Sequence, residues 1–237
     1  TNANTETYVA WCWKESATAG FDMVLYTGDG SARTIGHSLS AVPKFYATKD
    51  RSATANWPVY HAGNTSAPET DFLILNTNAA TADNAAIWND TAPTSSVFSV
   101  GTDNDVNDDG DSFIAYLFAE VQGYSKFGKY TGNGNADGTF VFLGFRPAWF
   151  MQKNTTDAAD NWHMFDAKRD PFNSTDEMLF ANANSAEATG NAIDFVSNGV
   201  KIRNTSNGMN GDGDNYVYAA FAEAPFVNSN GVPCNAR

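Results

Sequence analysis

Basic residues are scarce: 14 Lys and Arg stand against 27 Asp and Glu in 237 residues, a formal net charge of −13. Such a chain lacks the electrostatic footprint that nucleic acid demands and has nothing to draw it to anionic lipid. It fits a soluble protein that stays dispersed in salty water, where charge is screened. Long apolar runs are missing as well. The best stretch, Phe140 to Met151, is interrupted by Arg146 and Pro147, and none approaches the ~20 residues of a membrane span. Cysteine is nearly absent. Cys12 and Cys234 are the only two, too few for a disulfide framework, although a bond between them would tie the termini together. Cys12 lies in a strand-like run and reads as a free, buried thiol. Leucine is limited to seven residues, and no stretch shows convincing helical periodicity. The chain opens on Thr1 with neither Met nor a signal-like segment, as expected where an original start has been removed.

What the chain has is an internal repeat, the feature to establish before any motif. Pro43 and Lys49 match Pro147 and Lys153 at a shift of 104. Asn56-Trp57 matches Asn161-Trp162 at 105, and Asn76-Thr-Asn78 matches Asn182-Ala-Asn184 at 106. Further on the shift settles at 103, pairing Asp109-Gly-Asp111 with Asp212-Gly-Asp214 and the run Phe113–Glu120 with Tyr216–Glu223. Tyr8–Glu15 reads as a third copy of that run. These matches divide the chain into a first unit at 1–110, a second at 111–226 with a closing strand at 215–226, and a tail at 227–237.

The local signals are β. Aromatic and β-branched runs at Tyr8–Trp13, Leu73–Leu75, Phe113–Phe118, Phe140–Phe150 and Tyr216–Phe221 read as strands. Between them fall Asn-Gly and Asp-Gly dipeptides, which supply the positive φ that hairpins need. Only the Ala-rich stretches 79–86 and 181–192 have room for a helical turn each. The expectation is an all-β, β-sandwich or jelly-roll-like fold of two units of about 104 residues.

One segment has the donors for a hard cation. In the loop 103–111, Asp105, Asn107, Asp109 and Asp111 surround Gly110, with oxygen ligands and a turn glycine as Ca²⁺ prefers. Its partner keeps Asn210, Asp212 and Asp214, but Gly208 replaces the first ligand, and Tyr116 stands where an EF-hand needs Glu. Hairpin chemistry accounts for the same spacing, so a solvated Asp-Gly turn is the competing reading. Otherwise no cofactor is expected.

Catalytic signatures are few. Glu15, Glu120 and Glu223 end the three copies of the repeated run, a position that suits a shared structural task better than acid–base work. His37, His61 and His163 have no metal-like spacing, there is no Gly-x-Ser-x-Gly elbow, and the Gly-rich turns lack the context of a phosphate loop. The protein is therefore expected not to be an enzyme. Trp57, Trp149 and Trp162 read as core. Trp88, in the polar run Ile-Trp-Asn-Asp, is the tryptophan expected at the surface, where its face could stack on a sugar.

Gly123–Gly134, Gly144-Phe-Arg-Pro-Ala-Trp149, Asp194–Gly199 and Tyr218–Phe226 resemble an uncharacterised, concanavalin A-like or lectin-like domain family. That family occurs in virion and tail-fibre-like proteins of marine tailed bacteriophages. The resemblance spans nearly the whole chain. It implies an extracellular structural protein of a phage particle and hands over no catalytic residues. The expected role is a non-enzymatic tail-fibre adhesin that recognises host-surface glycan, assembles as a homo-oligomer and contacts other virion subunits. A capsid decoration or assembly protein is the alternative, and a polysaccharide depolymerase comes last.

Overall fold

The computed structural model describes residue 4 and residues 7–224. Its first half contains β1 (Phe21–Thr27), β2 (Arg33–Gly36), β3 (Phe45–Asp50), β4 (Pro58–His61), β5 (Asp71–Ile74), β6 (Ala82–Asp83), β7 (Val97–Val100) and β8 (Ser112–Phe118). The second contains β9 (Ser125–Thr131), β10 (Phe140–Phe142), β11 (Pro147–Asn154), β12 (His163–Asp166), β13 (Leu179–Phe180), β14 (Ile193–Val196), β15 (Gly199–Ile202) and β16 (Asn215–Ala222). Single helical turns lie at α1 (Ala85–Trp88), α2 (Asn104–Asn107) and α3 (Asn207–Asn210). The fold is all-β, as expected.

Two large antiparallel sheets carry it, in the orders β1-β8-β3-β4-β5-β6 and β9-β16-β11-β12-β13. Strand for strand, the second order is that of the first without its last strand. A β2-β7 ribbon packs on the first sheet, and a β10-β15-β14 sheet packs on the second.

The alternation of side chains explains the layering. Along β3, Tyr46 joins the core under the ribbon with Trp88, Phe98 and Leu117, while Phe45 and Ala47 point the opposite way. Along β16, Tyr216, Tyr218 and Ala220 face the β10-β15-β14 sheet, while Val217, Ala219 and Phe221 face the first large sheet. Both large sheets are thus covered on two faces, which is why β3, β4, β11 and β16 are almost entirely buried. The central layer joins the halves: Phe45 stacks on Phe127 with centroids 6.2 Å apart, and Phe118 meets Phe221 edge-on at 5.7 Å. Two polar contacts cross the same layer. His61 Nε2 lies 3.0 Å from the Tyr218 carbonyl, and Trp162 Nε1 donates to the Ile74 carbonyl at 2.9 Å.

Several expectations need correction. Residues 7–15 form no strand. The runs they resemble, β8 and β16, are interior strands whose two edges are already taken, so a third copy has no equivalent place in either large sheet. Instead, Trp11 and Trp13 pack on the central core, which leaves Cys12 between them exposed rather than buried. Cys234, and with it any bond to Cys12, lies outside the described residues. The stretch Phe140–Phe150 is two strands in different sheets, separated by a turn at Gly144 (φ +84°). The first large sheet also extends past residue 110, because β8 pairs with β1 and β3. A helical turn occurs at the end of 79–86 and none at 181–192.

Candidate functional site

The acidic loop and its partner become two loop clusters of the same construction. In the first half, the β1–β2 loop meets the segment between β7 and β8. Asn107 is fully buried at their junction. Its Nδ2 donates to the carbonyls of Ser31 (2.7 Å) and Gly101 (2.9 Å), and its Oδ1 accepts from the Asp29 amide at 3.1 Å. Main-chain bonds close the pairing: Gly28 N to Asp111 O, Gly30 N to Asn107 O and Gly110 N to Gly28 O. Tyr26 anchors the helical turn through its hydroxyl, which donates to the Val106 carbonyl at 2.7 Å. Gly28 is required here, since a Cβ would lie 1.9 Å from the Asp108 carbonyl oxygen.

The second half repeats each contact. Asn210, also fully buried, donates to the carbonyls of Asn135 and Asn204, both at 2.8 Å, and accepts from the Asn133 amide at 3.1 Å. Gly132 N bonds Asp214 O, Gly134 N bonds Asn210 O and Gly213 N bonds Gly132 O. The Tyr130 hydroxyl donates to the Met209 carbonyl at 2.8 Å. One buried amide per half thus satisfies main-chain groups of two loops that would otherwise be orphaned.

The structure gives several of the expected cation ligands hydrogen-bond partners within the protein. Asn107 and Asn210 turn inward and hold backbone. Asp105 is occupied by Asn56, accepting from its amide at 3.0 Å and from its side chain at 2.9 Å. Asp214 accepts from Asn154 Nδ2 at 3.1 Å. Asp109 and Asp212 are exposed at the loop tips. Among the described residues no three His, Cys, Asp or Glu side chains gather where a metal could sit. Asp111 has an unusual neighbour in the buried Asp50. Its carboxyl is pushed above the ordinary range by burial first, then by the charges of Asp50 and Asp108.

The other singled-out residues have plain roles. Trp88 is not at the surface. It is completely buried against Tyr46, edge-on at 4.9 Å, because α1 turns the apolar pair Ile87-Trp88 inward. Trp149 and Trp162 are buried, while Trp57 is only half-buried and stacks on Tyr116 at 6.2 Å. Glu223 pairs with Arg146 at 3.0 Å, and Glu120 and Glu15 are exposed. His37 is half-exposed and lies 3.2 Å from the Thr94 carbonyl. His61 accepts from the Gly63 amide at 3.0 Å, and His163 lies 3.0 Å from Gln152 Nε2. Burial lowers both pKa values to about 4, so each is a neutral core histidine near pH 7. Lys153 belongs to no motif in the sequence. It is fully buried, donates to the Asn154 carbonyl at 2.5 Å, and is lowered by burial to about 8. Only its match to Lys49 marked the position.

An all-β protein of two packed large sheets, each covered on its outer face, with paired polar loops pinned from beneath, is the class that fold and site define. Residues 1–225 match a family described as Domain of unknown function (DUF7483), and the chain belongs to it. No curated protein matches the chain.

Proposed function

We propose that this chain is a non-enzymatic structural module of a phage particle, and that as a tail-fibre adhesin it recognises host-surface glycan through its two pinned loop clusters. The observation that carries the reading is the buried amide of Asn107 and Asn210. Each fixes two loops from beneath, so the exposed Asp29, Ser31 and Asp109, and Asn133, Asn135 and Asp212, are held in place before any ligand arrives. Polar side chains on pre-ordered loops suit sugar hydroxyls, because little conformational entropy remains to be lost on binding. Two such clusters on one chain also favour multivalent engagement of a repetitive surface. Resemblance to virion and tail-fibre proteins supplies the setting, including a homo-oligomer in contact with other virion subunits.

A glycan array probed with and without Ca²⁺ tests the proposal, followed by Asp109→Ala combined with Asp212→Ala. The double variant is expected to lose at least about tenfold in affinity, roughly 1.4 kcal/mol, with an unchanged thermal midpoint. Absence of binding in both conditions overturns the adhesin reading. Immunogold labelling of the particle separates it from the alternative: gold at the tail tip agrees with an adhesin, and gold over the head with a capsid decoration protein.

A further inference from the structure

One long strand edge is left unpaired. β1 is the outermost strand of the first large sheet, and its only ladder is with β8. At one end of that ladder the Ala119 amide donates to the Gly20 carbonyl, and at the other the Gly28 amide donates to the Asp111 carbonyl. Main-chain bonds of an antiparallel pair fall on alternate residues, so even-numbered residues of β1 bond β8 and odd-numbered ones face outward. Phe21 is closed by its exchange with Ser16, and the Thr27 carbonyl accepts from Arg33. The N–H and C=O groups of Met23 and Leu25, and the N–H of Thr27, meet no partner among the described residues. Their side chains widen the open surface, Met23 being 40% and Leu25 64% exposed. Met23 also borders an aromatic cleft of about 470 Å³ between the two large sheets.

The other outer strands of the large sheets are guarded or short. β9, the counterpart of β1, puts Lys129 where β1 has Leu25 and Lys126 where it has Asp22. Lysines on an edge deter pairing with another chain. β6 and β13 span two residues each. Residues 23–27 of β1 carry no charged side chain in a chain of net charge −13, so two copies can approach there without the repulsion that the acidic surface imposes elsewhere.

We propose that β1 pairs with β1 of a second copy, antiparallel and about a two-fold axis through Leu25. The Ser16 bridge selects this register. Leu25 exchanges both main-chain bonds with Leu25 of the second copy, and Met23 exchanges with Thr27, whose carbonyl keeps a lone pair beside the one given to Arg33. Past Thr27 the chain turns back toward Asn107, so the second copy leaves the edge before it reaches Ser16. Asp22 then faces Gly28 and not its like. Each copy uses up its open edge, so association stops at a dimer. The interface gives the proposed homo-oligomer a location, but it is measured without glycan, so either reading can fail alone.

Analytical ultracentrifugation of the full chain across the micromolar range should show a monomer–dimer equilibrium, as expected of a small, transient interface. Leu25→Lys copies the guard of β9 and is expected to weaken dimerisation at least about tenfold. Its thermal midpoint should be unchanged, because Leu25 is exposed. In a Cys12→Ser, Cys234→Ser background, Leu25→Cys should form an intermolecular disulfide on oxidation, since Cα atoms paired on the axis lie about 5.5 Å apart. Met23→Cys, set against Thr27 of the second copy, should not. A chain that stays monomeric throughout, an undiminished dimer in Leu25→Lys, equal cross-linking at the two positions, or association that continues past the dimer each overturns the proposal.

Discussion

The two large sheets share a strand order and a loop-pinning asparagine, yet their side chains diverge wherever the halves meet. Asn107 and Asn210 make the same set of main-chain bonds. Tyr26 and Tyr130 anchor the turns beside them alike. On the shared central face the pairing breaks down. Met23 and Leu25 on β1 are 40% and 64% exposed, whereas their counterparts on β9 are the buried Phe127 and the exposed Lys129. His61 reaches across to the Tyr218 carbonyl, whereas Asp166 at the matching place binds Arg169 within its own half at 2.6 Å. Main-chain hydrogen bonding has few solutions, so it recurs. Packing between two unlike faces has no reason to be symmetric, and that asymmetry leaves the aromatic cleft open.

Removing the shared pin should have the largest effect. Asn107→Ala and Asn210→Ala each orphan buried main-chain groups of two loops, and each is expected to cost about 3–4 kcal/mol in urea unfolding. Losses of similar size in the two halves would show that the pins are equivalent. A loss confined to one would show that the second half, or the first, tolerates an open loop.

Acid should come next. Both buried histidines have folded pKa values near 4, below the ordinary 6.5. The unfolded chain therefore takes up protons first as pH falls, so stability is complete above about pH 6.5 and declines toward pH 4. Each histidine contributes on the order of 1–3 kcal/mol to that decline. Urea midpoints measured across this window should show a shallower slope in His61→Gln and again in His163→Gln. An unchanged slope in either would mean that its imidazole is accessible to protons in the folded state.

The smallest effect separates Asp50 from its counterpart Asn154. Asn154 accepts the Thr156 amide through Oδ1 and donates to Asp160 and Asp214, while Asp50 accepts the Ser52 amide and faces Asp111 with a second carboxyl. Because the Asp111 pKa is raised on folding, its contribution is most favourable in acid and is lost as pH rises through the raised value. Asp50→Asn should turn that repulsion into a hydrogen bond. The expected gain is small, under about 0.5 M in urea midpoint, present at pH 7 and absent in strong acid. A destabilised variant at pH 7 would show that the carboxyl of Asp50 is needed for its own loop.

Much of this was legible along the chain. Strand-forming runs at Phe113–Phe118 and Tyr216–Phe221 became β8 and β16, and the Gly-Asp-Gly and Asn-Gly turns became the loop clusters. Asp and Asn at 105, 107, 210 and 214 mark the loop clusters along the chain, but not the hydrogen bonds they make there. A carboxylate or amide offers the same oxygen to a cation and to a backbone amide, and composition does not say which will arrive. Trp88 misled for a related reason: its neighbours Asn89 and Asp90 are polar, but both have positive φ (53° and 45°), and the turn they make sends the indole inward.

By itself the sequence determined an all-β chain, its strand positions and the spacing of its turns, because period-two alternation and glycine conformation act within a few residues. Only the tertiary structure decided that Tyr8–Trp13 is not a strand, that Cys12 is exposed, that Asn107 and Asn210 face inward, and that the halves enclose an aromatic cleft. Each of those outcomes depends on whether a strand edge, a buried backbone group or an apolar face is already occupied, and that is settled by residues a hundred positions away.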